Sequence, residues 1–261
     1  MNLLIIRIKT FKKYSYLLFN FVKKDFFKKY RRSVLGVLWS VLNPLLMAAV
    51  VSTAFSRIFR IQTEHYPVYY LTGALIFNFM SGATSRSLLS MVEASGLIKK
   101  VYVPKYIFPL EKCLFELVTT VFSFLAVILV MPLLGVAPSL SALLFLVPIF
   151  YVLVFNIGLG MILSAVNVFF RDIEHLYAVL TQAWLFLTPV LYPVDALPES
   201  ARWFLKINPM YYFIDYFRRV VMYGQLPDLR LNVICGVFSI LFFVVGLIIF
   251  KKTQDKFILY V

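Results

Sequence analysis

Twelve carboxylates, two histidines and two cysteines are the side chains of this 261-residue sequence with the chemistry to hold a metal or move protons. Their spacing gives them no shared site. Cys113 and Cys235 sit inside apolar runs, where cysteine serves as a small core residue rather than a disulfide or metal ligand. His65 and His175 fall on opposite sides of the membrane in the topology that the apolar runs impose. No H-E-x-x-H, no paired C-x-x-C and no G-x-x-x-x-G-K-[ST] phosphate loop occurs. A hydrolase or transferase needs a nucleophile, a base and an orienting group, and no such set is present. The expectation is a conduit, with no catalytic residue, no metal and no cofactor bound by the chain itself. An enzyme working from membrane-embedded polar residues is the alternative.

Two charges stand out because they lie within long apolar stretches. Arg86 and Glu116 each fall a turn or two inside the expected cytoplasmic boundary. A charge there is costly unless it pairs, snorkels or meets water. Both can snorkel; the sharper expectation is an inter-helix ion pair near the cytoplasmic entrance.

The elements that must position these residues follow from composition. The chain is 62% hydrophobic with a mean hydropathy of +0.87, whereas a soluble domain sits near half apolar. One globular core of this length has no room for that excess, but lipid accepts an apolar exterior. The net charge of +14 does not point to nucleic acid. The cations do not form a stripe between aromatics on a soluble module. They cluster beside apolar runs, above all from Arg7 to Arg32, as the positive-inside pattern requires. No cleavable signal pattern is seen at the start of the sequence.

A transmembrane helix needs about 20 apolar residues. Val34–Phe55, Tyr66 to about Met91, Ile107–Leu134, Ala142–Phe170, Ile173–Leu191 and Leu229–Phe250 supply six such runs. Pro44 interrupts the first, Arg57, Arg60 and Glu64 follow it, and Val136–Ser141, with Pro138, makes a tight turn. Residues 1–33 form a separate N-terminal segment ahead of the six-span domain at 34–261. On a helix, Phe11, Leu18, Val22 and Phe26 share one face, and Lys13, Asn20, Lys24, Lys28 and Arg31 the other. Such a helix lies in the interface with its lysines toward anionic headgroups; a disordered basic arm is the alternative.

The basic residues set the orientation. With both termini in the cytoplasm, the N-terminal arm, Lys99, Lys100, Lys105, Arg171 and the tail lysines Lys251, Lys252 and Lys256 all lie inside. Tyr192–Asp228 then lies outside, although it carries Arg202, Lys206, Arg218 and Arg219. It is also too apolar for a free loop, and Pro198 and Pro209 divide it into two short helical pieces. Asp215 and Arg219 are spaced i, i+4 in the favourable order. The pieces read as re-entrant helices lining a cavity, since irregular backbone at that depth needs protein or water around it. Helices lying flat on the outer surface are the alternative.

Four stretches carry a resemblance. They are Tyr30-Arg31-Arg32-Ser33-Val34-Leu35-Gly36 running on to Leu42-Asn43-Pro44-Leu45; Gly96-Leu97-Ile98-Lys99-Lys100-Val101-Tyr102-Val103-Pro104-Lys105; Asn167-Val168-Phe169-Phe170-Arg171-Asp172-Ile173; and Thr188-Pro189-Val190-Leu191-Tyr192-Pro193, followed by Leu197-Pro198-Glu199 and Asn208-Pro209. In this order the chain resembles the permease subunits of bacterial ABC transporters that export polysaccharides and polyol phosphates, the O-antigen, capsule and teichoic acid exporters. Thr188 stands where members often have serine, and it keeps the hydroxyl.

The resemblance implies an all-α integral membrane protein of the type-2 ABC exporter permease fold. It implies six transmembrane helices, an N-terminal amphipathic interfacial helix, and re-entrant helices between spans five and six. It also implies a bacterial inner-membrane homodimer served by two copies of a separate ATPase subunit, which binds the ATP and Mg. The segment Glu93–Lys105 would dock on that ATPase as a coupling helix, through Glu93, Lys99, Lys100, Val101, Tyr102, Pro104 and Lys105. Plain positive-inside anchoring is the alternative role for the lysines. The implied cargo is a lipid-linked glycan or a teichoic acid-like polyol phosphate polymer. Sugars pack their C–H faces on aromatic rings and hydrogen-bond through hydroxyls, so Trp39, Tyr70, Phe77, Asn78, Trp184 and Tyr192 are the path candidates. Interfacial belts and helix packing use the same residue types. An ion-coupled secondary transporter would show internal repeats and buried acids along its spans, and a membrane-bound glycosyl- or acyltransferase a catalytic cluster at one face. Neither signature is found.

Overall fold

A computed structural model describes residues 2–55, 64–137 and 139–260, with residues 2–12 and Ala201 in their backbone alone. Among the described residues the chain is helical and contains no strand. Arg57, Arg60 and Pro138 lie outside them.

Helix α1 spans Asn2–Tyr30. The expected amphipathic faces are seen where its side chains are described: Leu18 and Val22 are buried, while Lys13, Lys24 and Lys28 are exposed. Its inner face packs on α5, with Phe21 stacked on Phe108 and Phe26 against Phe122. The first apolar run begins with a 3₁₀ turn at Gly36–Leu38 and becomes helical as α2, Trp39–Thr53, with Pro44 inside. Helix α3 runs unbroken over Tyr66–Glu93. A single turn, α4 at Ser95–Ile98, follows it, and α5 spans Ile107–Leu133. A 3₁₀ stretch at Leu140–Phe145 leads into α6, Leu146–Phe169. Helix α7 covers Ile173–Leu187, α8 Trp203–Ile207, α9 Pro209–Val221, α10 Leu229–Thr253 and α11 Phe257–Tyr260.

Among the described residues, four helical stretches are long and apolar enough to cross a membrane: Gly36–Thr53, Ile107–Leu133, Leu140–Phe169 and Leu229–Tyr260. The fifth apolar run is shorter than expected. The sequence predicts helix to Leu191, but α7 stops at Leu187. At 1.5 Å per residue its length is about 22 Å, short of a hydrocarbon core of about 30 Å. The cause is local. Pro189 disfavours helical geometry at the residue before it, and Thr188 is extended with ψ 134°.

Helix α3 is the axis of the bundle. It packs on α5 and α6 along most of its length and on α9 near its start. Its buried side chains include small and hydroxyl residues that let neighbours approach, as membrane helices require. Gly160 of α6 faces Ser87. The side-chain amides of Asn156 and Asn167 donate to the carbonyls of Phe79 and Leu88, at 3.4 and 3.0 Å. Helix α10 lies on α6 at a tighter crossing still. A Cβ on Gly246 would stand 2.2 Å from the Gly158 carbonyl oxygen, so the two backbones touch.

Candidate functional site

Two polar clusters occupy opposite ends of α3. The first surrounds the break after α7. From Thr188 to Pro193 the chain turns and bends outside any helix. Val190 N–H donates to Thr188 O at 2.7 Å, but the carbonyls of Pro189 to Tyr192 have no intrahelical donor, and buried carbonyls need partners. Helices α3 and α9 provide them. The Tyr66 hydroxyl donates to Leu191 O at 2.6 Å, and the Tyr69 hydroxyl to Tyr192 O at 2.9 Å with Pro189 O at 3.3 Å. Arg218 of α9 donates through Nη1 to Pro189 O at 2.8 Å, and through Nη2 to Tyr69 O at 3.0 Å and Val190 O at 3.4 Å. Its guanidinium lies 3.5 Å over the Tyr69 ring. Arg218 is 5% exposed and has no carboxylate within ion-pair distance among the described residues. Carbonyl dipoles and a ring face therefore hold this cation. Gly73 makes room, since a Cβ there would stand 2.5 Å from Nη2. Beside this latch, Asn208 caps α9 by accepting from Met210 N. It also accepts from Trp184 Nε1 at 2.9 Å and donates to Thr188 Oγ1 at 2.9 Å.

The second cluster lies where α1, α3 and α5 meet. Arg86 Nε stands 2.5 Å from Glu116 Oε1, so the structure brings this charged pair together. Gly82 leaves space for the Glu116 carboxyl against the α3 backbone. Lys112 of α5 faces three carboxylates: Asp25 of α1 at 2.5 Å, Glu111 at 3.2 Å and Glu93 at the end of α3 at 3.9 Å. Asp25, Glu111 and Lys112 were not foreseen as a group. The available signal was the lone acid in the basic α1 opposite a Glu-Lys pair at the start of an apolar run.

The segment after α3 is exposed at Lys99, Lys100, Val101 and Tyr102, and Tyr102 is 87% exposed. Glu93 is exposed and Pro104 half-buried. Lys105 turns inward instead. Its Nζ donates to Gln254 O at 2.5 Å, beside the Phe257 ring, which ties the segment to the end of α10.

The path candidates scatter. Asn78 is exposed on α3 and Trp39 is 44% exposed on α2. Trp184 is half-buried and tied to Asn208, while Tyr192 donates to Phe186 O at 2.6 Å. Tyr70 and Phe77 are 8% and 3% exposed and belong to the central core, on the faces of α3 that pack against its neighbours. The open stripe of α3 is polar rather than aromatic: Asn78, Ser81, Ser85 and Arg86 recur at helical spacing.

Comparison with known proteins assigns this arrangement. The ABC-2 type transporter family matches residues 16–222. An O-antigen export system permease protein RfbA from Klebsiella pneumoniae is 30% identical over 236 residues, which is 90% of each chain. One from Myxococcus xanthus is 29% identical over 256 residues, covering 96% of this chain and 97% of the relative. An all-helical chain with several membrane-length helices, matched through both polar clusters, belongs to the ABC-2 type transporter family of membrane-spanning permeases.

Proposed function

We propose that this chain is the permease of an ATP-driven exporter that moves a lipid-linked polysaccharide from the cytoplasm across the inner membrane. The near full-length match to O-antigen export permeases carries the reading. Two copies of the chain form the conduit, and two copies of a separate ATPase subunit bind ATP and Mg. The chain crosses the membrane about six times, through α2, α3, α5, α6, α7 with the segment after it, and α10, and both termini are cytoplasmic. Helices α8 and α9 dip into the outer leaflet without crossing. The apolar exteriors of α2 and α7 support a lipid or subunit contact there, since Val50 is 65% and Val179 71% exposed. The exposed turn from Ser95 to Tyr102 is the surface that meets the ATPase.

Copurification tests the reading. A stoichiometric ATPase with vanadate-sensitive hydrolysis is expected, together with loss of surface glycan on deletion of the gene. Accumulation of the glycan on the cytoplasmic side locates the block at export. A chain that purifies without an ATPase, in cells that still display glycan after deletion, refutes it.

A further inference from the structure

The cleft between α1, α3 and α5 has a volume of about 750 Å³ and is lined by both signs of charge. Lys24, Lys28 and Lys29 of α1 stand on one wall. Among the described residues none of the three has a carboxylate within ion-pair distance. The opposite wall carries Glu111, which is 3% exposed. Its Oε2 faces Lys112, but its Oε1 is buried and has no hydrogen-bond partner. Orphaned buried acceptors are rare and costly. The wall also presents the Phe115 ring, with Lys29 Nζ 5.5 Å from its centroid. Cations without a carboxylate partner and one carboxylate oxygen without a donor thus share one cleft.

We infer that this cleft binds a membrane lipid headgroup that carries a phosphate and, next to it, hydrogen-bond donors. The phosphate meets the three lysines, and an adjacent hydroxyl or ammonium meets Glu111 Oε1. A phosphate alone leaves the carboxylate unmatched, and a cation alone leaves the lysines unmatched. The amphipathic α1 puts the site at the depth of headgroups. The inference rests on the topology proposed above, in which α1 lies at the cytoplasmic surface. Two lipids have this chemistry, a polyprenyl diphosphate-linked sugar and phosphatidylethanolamine.

The test uses the full chain in phosphatidylcholine nanodiscs, with lysine labelling by an amine-reactive reagent read by peptide mass spectrometry. Phosphatidylcholine carries phosphate without a donor. Doping with either of the two named lipids is expected to protect Lys24, Lys28 and Lys29, and the one that protects at lower mole fraction is the natural occupant. The triple change of these lysines to Gln is expected to weaken retention of that lipid in native mass spectrometry about tenfold or more. Glu111→Gln is expected to weaken it about fivefold, with no effect on phosphatidylcholine. The triple variant alters an exposed face, so an unchanged elution profile shows that it folds. Equal protection by phosphatidylcholine or by inorganic phosphate overturns the inference, as does unchanged retention by Glu111→Gln. Quenching of a fluorophore at position 16 by brominated lipid reports where α1 lies. No quenching overturns the topology and the site together; quenching without selective protection overturns the site alone.

Discussion

At the scale of single residues, two charges within apolar stretches of this chain are placed by pairing. Arg86 and Glu116 come from helices joined by a long connector and meet in a hydrogen bond. Half-exposed Arg86 loses little alone, whereas the Glu116 side chain is 10% exposed and unpaired would be costly. Charge reversal at either position is therefore expected to lower folded yield and export, with Glu116→Arg the worse. The double swap Arg86→Glu with Glu116→Arg is expected to restore at least about half of what the singles lose. Export at matched protein level is the measurement, and a double swap no better than the singles sinks the pair. This contact was legible in the sequence because both residues interrupt apolar runs near the same boundary. Arg218 was not. It adjoins Arg219, whose i, i+4 bond to Asp215 at 2.9 Å was foreseen, and adjacent helical residues point about 100° apart. Arg218 falls four residues after Ile214, on the buried face with Phe213 and Phe217. Apolar periodicity marks that face, but it does not say which carbonyls wait there.

At the scale of elements, hydropathy located the apolar runs but not how each one ends. Where composition alone governs, as in α5, α6 and α10, the helices cover the apolar runs to within a few residues. At the end of the fifth run backbone geometry decides: Thr188 is extended ahead of Pro189, and α7 stops at Leu187 although the apolar run continues to Leu191. The α6–α10 crossing is a further case that hydropathy cannot register. Glycine counts as weakly apolar, yet Gly158 and Gly246 set the distance between two helices by lacking side chains. Gly246→Val is expected to force that crossing apart and cost about 3 kcal/mol, read as a lower unfolding temperature in detergent and reduced membrane yield. Gly236 lies on the same helix with only the Tyr151 ring edge 3.8 Å from a Cβ. Gly236→Ala is expected to be neutral or slightly stabilising, since alanine is the better helix former. If both variants behave like the parent, the close crossing does not determine packing.

At the scale of the molecule, α3 joins the two polar clusters into one mechanical element. Its 28 residues span about 42 Å, proline-free beyond the first turn and enclosed by α5, α6 and α9. One end runs through Glu93 directly into α4 and the exposed segment that meets the ATPase in the proposed exporter. The other is latched through Tyr66, Tyr69 and Arg218 to the carbonyls of residues 189–192. In the proposed exporter, a displacement at the ATPase contact therefore reaches α8 and α9 along a stiff rod, provided the latch holds. Arg218→Met keeps the bulk but leaves Val190 O without its donor, costing about 1–3 kcal/mol. Gly73→Ala keeps the arginine but displaces its guanidinium. Both variants are expected to assemble with the ATPase and hydrolyse ATP while export falls at least about tenfold. Arg219→Gln, at a half-exposed pair with Asp215, is expected to keep export within about twofold. The ratio of export to hydrolysis decides the matter. If Arg218→Met and Gly73→Ala lose hydrolysis and export together, in proportion to folded complex, the latch only stabilises the fold. If hydrolysis persists and export alone disappears, the latch is the joint through which the rod moves α8 and α9.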